Sequence, residues 1–271
     1  MQNSILPIDA CFKVDNSTII SAEIIEKFSG VVVTSDTNPL NNEKRVERCY
    51  KQLISSLPDG STFKIFMTLD VSLHSNHKEI VRWYTKGSFF AGRLKIGTLL
   101  PLNEPSLCLE KFFPLFRLFE ENKIPLYISP KSFCDSNKKV ISEEKKEKSF
   151  IKHSLPKIIN NFPNLILILE DITTKKGINF VSNVHPSEKK IYAIISPLSL
   201  KLAEKAKNTH EVLNSPHFRF FFGTVKNDKA DYSMEVYKSY LKASLNTQRL
   251  EYLMKKFTTN FQILFKNPSD S

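Results

Sequence analysis

Cys11 and Lys13, Asp36, Asp70, Arg93 and Lys95, Ser129, Glu170 and Asp171, and Ser196 each stand at the carboxyl end of a short apolar run or just past it. Their types allow limited chemistry. A distant carboxylate pair such as Asp36 and Asp171 could exchange protons with a substrate, although an aspartate after a strand also caps the helix that follows. Asp171, with Ile172, Thr173 and Thr174 behind it, has the pattern of such a helix start. Lys95, if desolvated, could form a Schiff base with a carbonyl substrate; the plainer reading is a lysine whose charge Asp70 or Asp36 balances. A metal site needs several histidines and carboxylates to converge, and none of the six histidines falls at the end of a run. His74 and His77 come nearest, as HSNH in a polar loop, which reads as solvated surface leading into a helix.

The apolar runs that must position these groups number eight: Ile5–Phe12, Gly30–Asp36, Phe63–Asp70, Phe89–Ile96, Pro125–Ser129, Leu165–Asp171, Lys190–Ser196 and Arg219–Val225. Several are almost continuously apolar, as strands of a parallel sheet covered on both faces are. Amphipathic stretches of helical period alternate with them: Asn42–Leu57, Ser75–Lys86, Leu107–Asn122, Ser142–Phe162, Thr173–Val184, Ser199–Leu213 and Tyr232 to about Phe265. Eight β/α units in one chain predict a single-domain (β/α)8 TIM barrel over residues 1–271, with a doubly wound open sheet as the alternative. In a barrel, function gathers at the carboxyl ends of the strands, where the polar residues above stand. Strand four is the least regular, because Gly92, Arg93 and Lys95 interrupt its pattern.

The composition excludes several classes. With 271 residues, 41% hydrophobic and 25% charged, the chain can bury a full core. Seven glycines and no GxxxxGK[ST] or GxGxxG argue against a phosphate-cradling loop. The net charge of +11 is spread over most helical stretches, and the densest run, EEKKEK from Glu143 to Lys148, mixes both signs as a solvated helix face does, so a nucleic-acid partner is not expected. No segment approaches the roughly 18 apolar residues of a membrane span, and the four dispersed cysteines suit reduced thiols; a cytoplasmic protein without a membrane partner is expected.

Eight collinear segments carry a resemblance. Leu169 to Lys175 (LEDITTK) resembles the "EHITTK" of the bacterial-type dihydroorotases, amidohydrolase-superfamily barrels that interconvert carbamoyl aspartate and dihydroorotate. Pro7 to Lys13 is similar to that family's "DxHLH", Val33 to Pro39 to "MPNLxPP", Phe66-Met67-Thr68 to "LMT" and Gly87 to Ile96 to "GxxxxAKLYP". Ile124 to Ser129 resembles "MPLLVH", Ala193 to Leu200 "ATITPQHL", and Phe222-Gly223-Thr224 the start of "LGTDSAPH". The resemblance covers nearly the whole chain, weakly at its C-terminal end.

The resemblance also shows what has changed. Active members hold two zinc ions with an HxH, a carbamylated lysine, two further histidines and an aspartate that is also the general base. The matching positions here are Cys11 and Lys13, Arg93, Ser129, Asp171 and Val225, and the positions matching substrate-binding residues are Asp15 and Asp36. A guanidinium cannot take up carbon dioxide to become a bridging anion, and a valine has no acid/base chemistry. The resemblance therefore implies an inactive dihydroorotase-like protein without a metal cofactor, with a structural or regulatory role in pyrimidine biosynthesis. The partners it implies are aspartate carbamoyltransferase or an active dihydroorotase, and a homodimer is a further expectation. The enzymatic alternatives are an active dihydroorotase with an unusual site, or metal-free chemistry at Lys95, Asp36, Asp70 or Asp171.

Overall fold

In a computed structural model the residues described are 8–14, 18–35, 39–94, 109–130, 142–170, 172, 174–183, 190–195 and 220–223. Eight parallel strands follow one another around a sheet in chain order: β1 Ile8–Lys13, β2 Gly30–Thr34, β3 Lys64–Val71, β4 Ala91–Leu94, β5 Leu126–Ile128, β6 Leu167–Leu169, β7 Ile191–Ile195 and β8 Phe220–Phe222. Seven parallel pairings join them, and β8 returns to the side of β1. A Cβ placed on Gly223, just past β8, would meet the Cys11 Cβ at 3.1 Å and Ile194 Cγ2 at 2.4 Å, so only glycine lets the two ends of the sheet approach this closely. The barrel expected from the run pattern is the architecture found, with every strand but β3 shorter than its run.

Helices cover the outside: α1 Ala22–Lys27, α2 Glu43–Ile54, α3 His77–Thr85, α4 Phe113–Glu121, α5 Glu143–Ser149, α6 Leu155–Asn161 and α7 Lys175–Asn183. The six-residue α1 is too short to show a period, and the sequence reading had no helix there. Between α5 and α6 the chain makes a π turn over Phe150–Ser154, where Leu155 N–H reaches back to the Phe150 carbonyl. Pro156 follows, with no N–H to donate and a ring that crowds the preceding turn, which accounts for the widened turn. The helices expected at 199–213 and 232–265 lie outside the described residues.

Two apolar layers result. Outward side chains of the strands pack on the helices, as Val33, Leu69, Leu126 and Leu167 do. Inward ones fill the barrel around Ala10, Cys11, Val32, Tyr127, Ile168 and Phe221. Gly92, on β4, belongs to the outer contact: a Cβ there would lie 2.2 Å from the ring of Phe119 on α4.

Candidate functional site

Parallel register carries a row of inward side chains around the barrel. Asp70 of β3 is paired with Arg93 of β4, Arg93 with Tyr127 of β5, and Tyr127 with Ile168 of β6. With a period of two, Glu170 shares the face of Ile168 and turns inward at the strand's carboxyl end. The interior mouth is thus built from Asp70, Arg93, Tyr127 and Glu170, joined by Cys11 and Thr34 from the first two strands.

Arg93 organises this mouth. Its Nε donates to Glu170 Oε1 at 2.7 Å and its Nη2 to Oε2 at 3.0 Å, a two-pronged pair with both residues buried. Nη1 donates to the Ser35 carbonyl at 2.8 Å and lies 4.0 Å from Asp70 Oδ1. Asp70 Oδ2 in turn accepts the Leu40 N–H at 2.8 Å. The guanidinium therefore ties β4 to β3, to the end of β2 and to the end of β6.

Beside it, Asp9 Oδ1 accepts the Cys11 N–H at 3.0 Å where β1 bulges, and Cys11 Sγ lies 3.7 Å from Thr34 Oγ1. The Tyr127 hydroxyl is fully buried and has no hydrogen-bond partner among the described residues. Burial pushes its pKa well above that of an ordinary tyrosine, and negative charge at Cys11, Glu170 and Asp9 adds to the effect. That hydroxyl is a poor acid and a poor nucleophile.

Of the residues singled out in the sequence, Cys11, Asp70, Arg93 and Glu170 converge on this mouth. Ser129 is half-buried just after β5, and Lys13 ends β1. Asp15, Asp36, Lys95, Asp171 and Val225 lie outside the described residues. The charge balance at Asp70 that was expected of Lys95 is provided at least in part by Arg93. His74 is exposed and His77 opens α3, whose cap is Asn76, accepting from Lys78 and Glu79. Among the described residues no three of His, Cys, Asp and Glu are grouped to hold a metal ion.

Two residues were missed. Tyr127 sits inside an apolar run, where parity with Ser129 marks it as inward. Glu147 lies in the mixed-charge run assigned to solvent, yet it is fully buried, with Oε1 accepting Thr174 N–H at 2.9 Å and Thr174 Oγ–H at 2.6 Å. Thr174 caps α7 by accepting the Gly177 N–H, so the capping expected of Asp171 falls three residues later. Glu144, Lys145 and Lys148 of α5 do face water, with Lys148 paired to Glu144.

A nearly closed ring of eight parallel strands with an outer layer of helices and polar groups at the carboxyl ends is a TIM barrel, and its structural neighbours include dihydroorotases and a hydantoinase. The dihydroorotase of Campylobacter jejuni superimposes with a TM-score of 0.71 at 18% identity, covering 96% of this chain and 84% of that one. The inactive dihydroorotase-like domain of the Chaetomium thermophilum CAD-like multifunctional protein does so at 0.58 and 14%, covering 96% and 79%. In sequence, the dihydroorotase of Shewanella piezotolerans is 24% identical over 176 residues, 65% of this chain and 49% of that protein. The match to curated relatives of this kind spans about half their length. No protein-family model matches the chain. The chain is a divergent homologue of the dihydroorotases.

Proposed function

We propose that this chain is a catalytically inactive dihydroorotase-like barrel with a structural or regulatory role in pyrimidine biosynthesis. One observation carries the reading: the Arg93–Glu170 pair, which puts a permanent positive charge inside the barrel mouth at the position matching the family's bridging lysine. Two zinc ions do not fit the described donors. The guanidinium stays protonated and repels cations, and it engages both oxygens of Glu170. Ser129 offers a neutral hydroxyl where the family has a histidine, and the chain has Val225 where the family has its general base. The protein is accordingly proposed to work without a metal cofactor.

The proposed partners are aspartate carbamoyltransferase or an active dihydroorotase, in the cytoplasm. The inactive dihydroorotase-like domain of similar fold in the Chaetomium thermophilum multifunctional protein supports such a non-catalytic use of the barrel. Cys11 and Cys49 are thiols not joined in a disulfide, which suits a reducing compartment, and no helix among the described residues is long and apolar enough to cross a membrane.

The test is turnover between carbamoyl aspartate and dihydroorotate, in both directions, with purified protein, added zinc and bicarbonate, and an active dihydroorotase as control. The reading expects no rate above the protein-free background. Turnover that scales with protein concentration would overturn it. Tagged protein expressed in its own cells is then expected to co-purify with one of the two enzymes, and recovery of neither removes the partner assignment.

A further inference from the structure

We propose that the Arg93 guanidinium is a built-in structural cation, holding the barrel mouth together without any metal ion. Arg93 is a buried basic side chain, and it faces two buried carboxylates from different strands, Asp70 on β3 and Glu170 at the end of β6. Two inward carboxylates in a low-dielectric interior repel one another and need a shared positive charge. A divalent ion is one way to supply it; the planar guanidinium is another, and here it also donates to the Ser35 carbonyl at the end of β2. Four strands are thereby joined through one side chain that is always charged and cannot dissociate. The ordering of the mouth is therefore independent of metal supply and of chelators, and an added divalent cation finds Glu170 already engaged.

This goes beyond the catalytic reading, and its test is read without substrate. Thermal unfolding of the full chain is followed with EDTA, with zinc plus bicarbonate, and with neither. The wild-type midpoint is expected to be the same in all three. Arg93→Met is expected to lower it by about 10 °C, since a buried carboxylate loses its partner, and Arg93→Met/Glu170→Met to recover part of that loss. A midpoint lowered by EDTA or raised by zinc in the wild type would overturn the proposal, as would an Arg93→Met protein that melts with the wild type. If Arg93→Met does not fold, Glu170→Gln supplies the variant: a lowered midpoint unresponsive to zinc supports the proposal, and one restored by zinc overturns it.

Discussion

The Arg93 guanidinium and the Glu170 carboxylate meet as a buried two-pronged pair, 2.7 and 3.0 Å apart, across the strand that separates them. Both groups have been taken out of water, so each depends on the other. Truncation of Glu170 removes the two-pronged contact and leaves the buried guanidinium facing Asp70 at 4.0 Å. Glu170→Ala is expected to destabilise the fold by about 3 to 5 kcal/mol in urea unfolding. In a double-mutant cycle with Arg93→Met the two changes should couple by at least about 1 kcal/mol, whereas additive effects would show that the pair contributes nothing jointly.

The partner of Arg93 illustrates what could and could not be read beforehand. The eight strands were legible because a parallel strand buried on both faces is almost all apolar, as Gly30–Thr34 and Leu167–Leu169 are. Arg93 interrupted one such run and made strand four the least regular; its inward parity with Ala91 explains the interruption. Whether it meets Glu170, Asp171 or Asp36 depends on the stagger of strands around the barrel, which no local pattern encodes, and a one-residue difference moves a side chain to the other face. Glu147 was assigned to solvent for a related reason. Lys145 and Lys148 near it on α5 are charged and exposed, and its carboxylate turns to Thr174 and Gly177 at the start of α7, which no local pattern shows.

Tyr127 places a hydroxyl in the interior without a hydrogen-bond partner among the described residues. Tyr127→Phe removes that group while keeping the ring, so it is expected to raise stability by about 1 kcal/mol. The pH dependence follows from the same burial. The folded-state pKa is raised above its usual value near 10, so the folded protein holds the proton more tightly than the unfolded chain does. The resulting stability is complete below pH 10 and declines as the pH rises past it. Unfolding measured from neutral to alkaline pH should show a shallower decline for Tyr127→Phe, and unchanged curves would contradict this placement of the hydroxyl.

Gly92 is required by the helix outside it. A methyl group there would fall 2.2 and 2.3 Å from two ring carbons of Phe119, a fully buried side chain on α4, and 3.3 Å from Leu126 Cδ1. Gly92→Ala should therefore cost about 1 to 3 kcal/mol through overpacking. Phe119→Leu in the same chain relieves the contact, so the double variant is expected to be more stable than the sum of the two single changes implies.

Thr174 joins the end of β6 to α7 and, through Glu147, to α5. Its side chain both caps α7, by accepting the Gly177 N–H, and donates to the buried Glu147 carboxylate. Thr174→Ala removes the cap, at about 1 to 2 kcal/mol, and takes a donor from a buried carboxylate. Thr174→Ser keeps both hydrogen bonds and should retain most of the stability, while Thr174→Val keeps the shape and loses both. Ranking the three variants by denaturant midpoint, with Ser above Val and Ala, checks the hydrogen bonds apart from packing. If Val instead matched the wild type, the buried contact would be one of shape, and the Thr174 hydroxyl would add nothing to the support of Glu147.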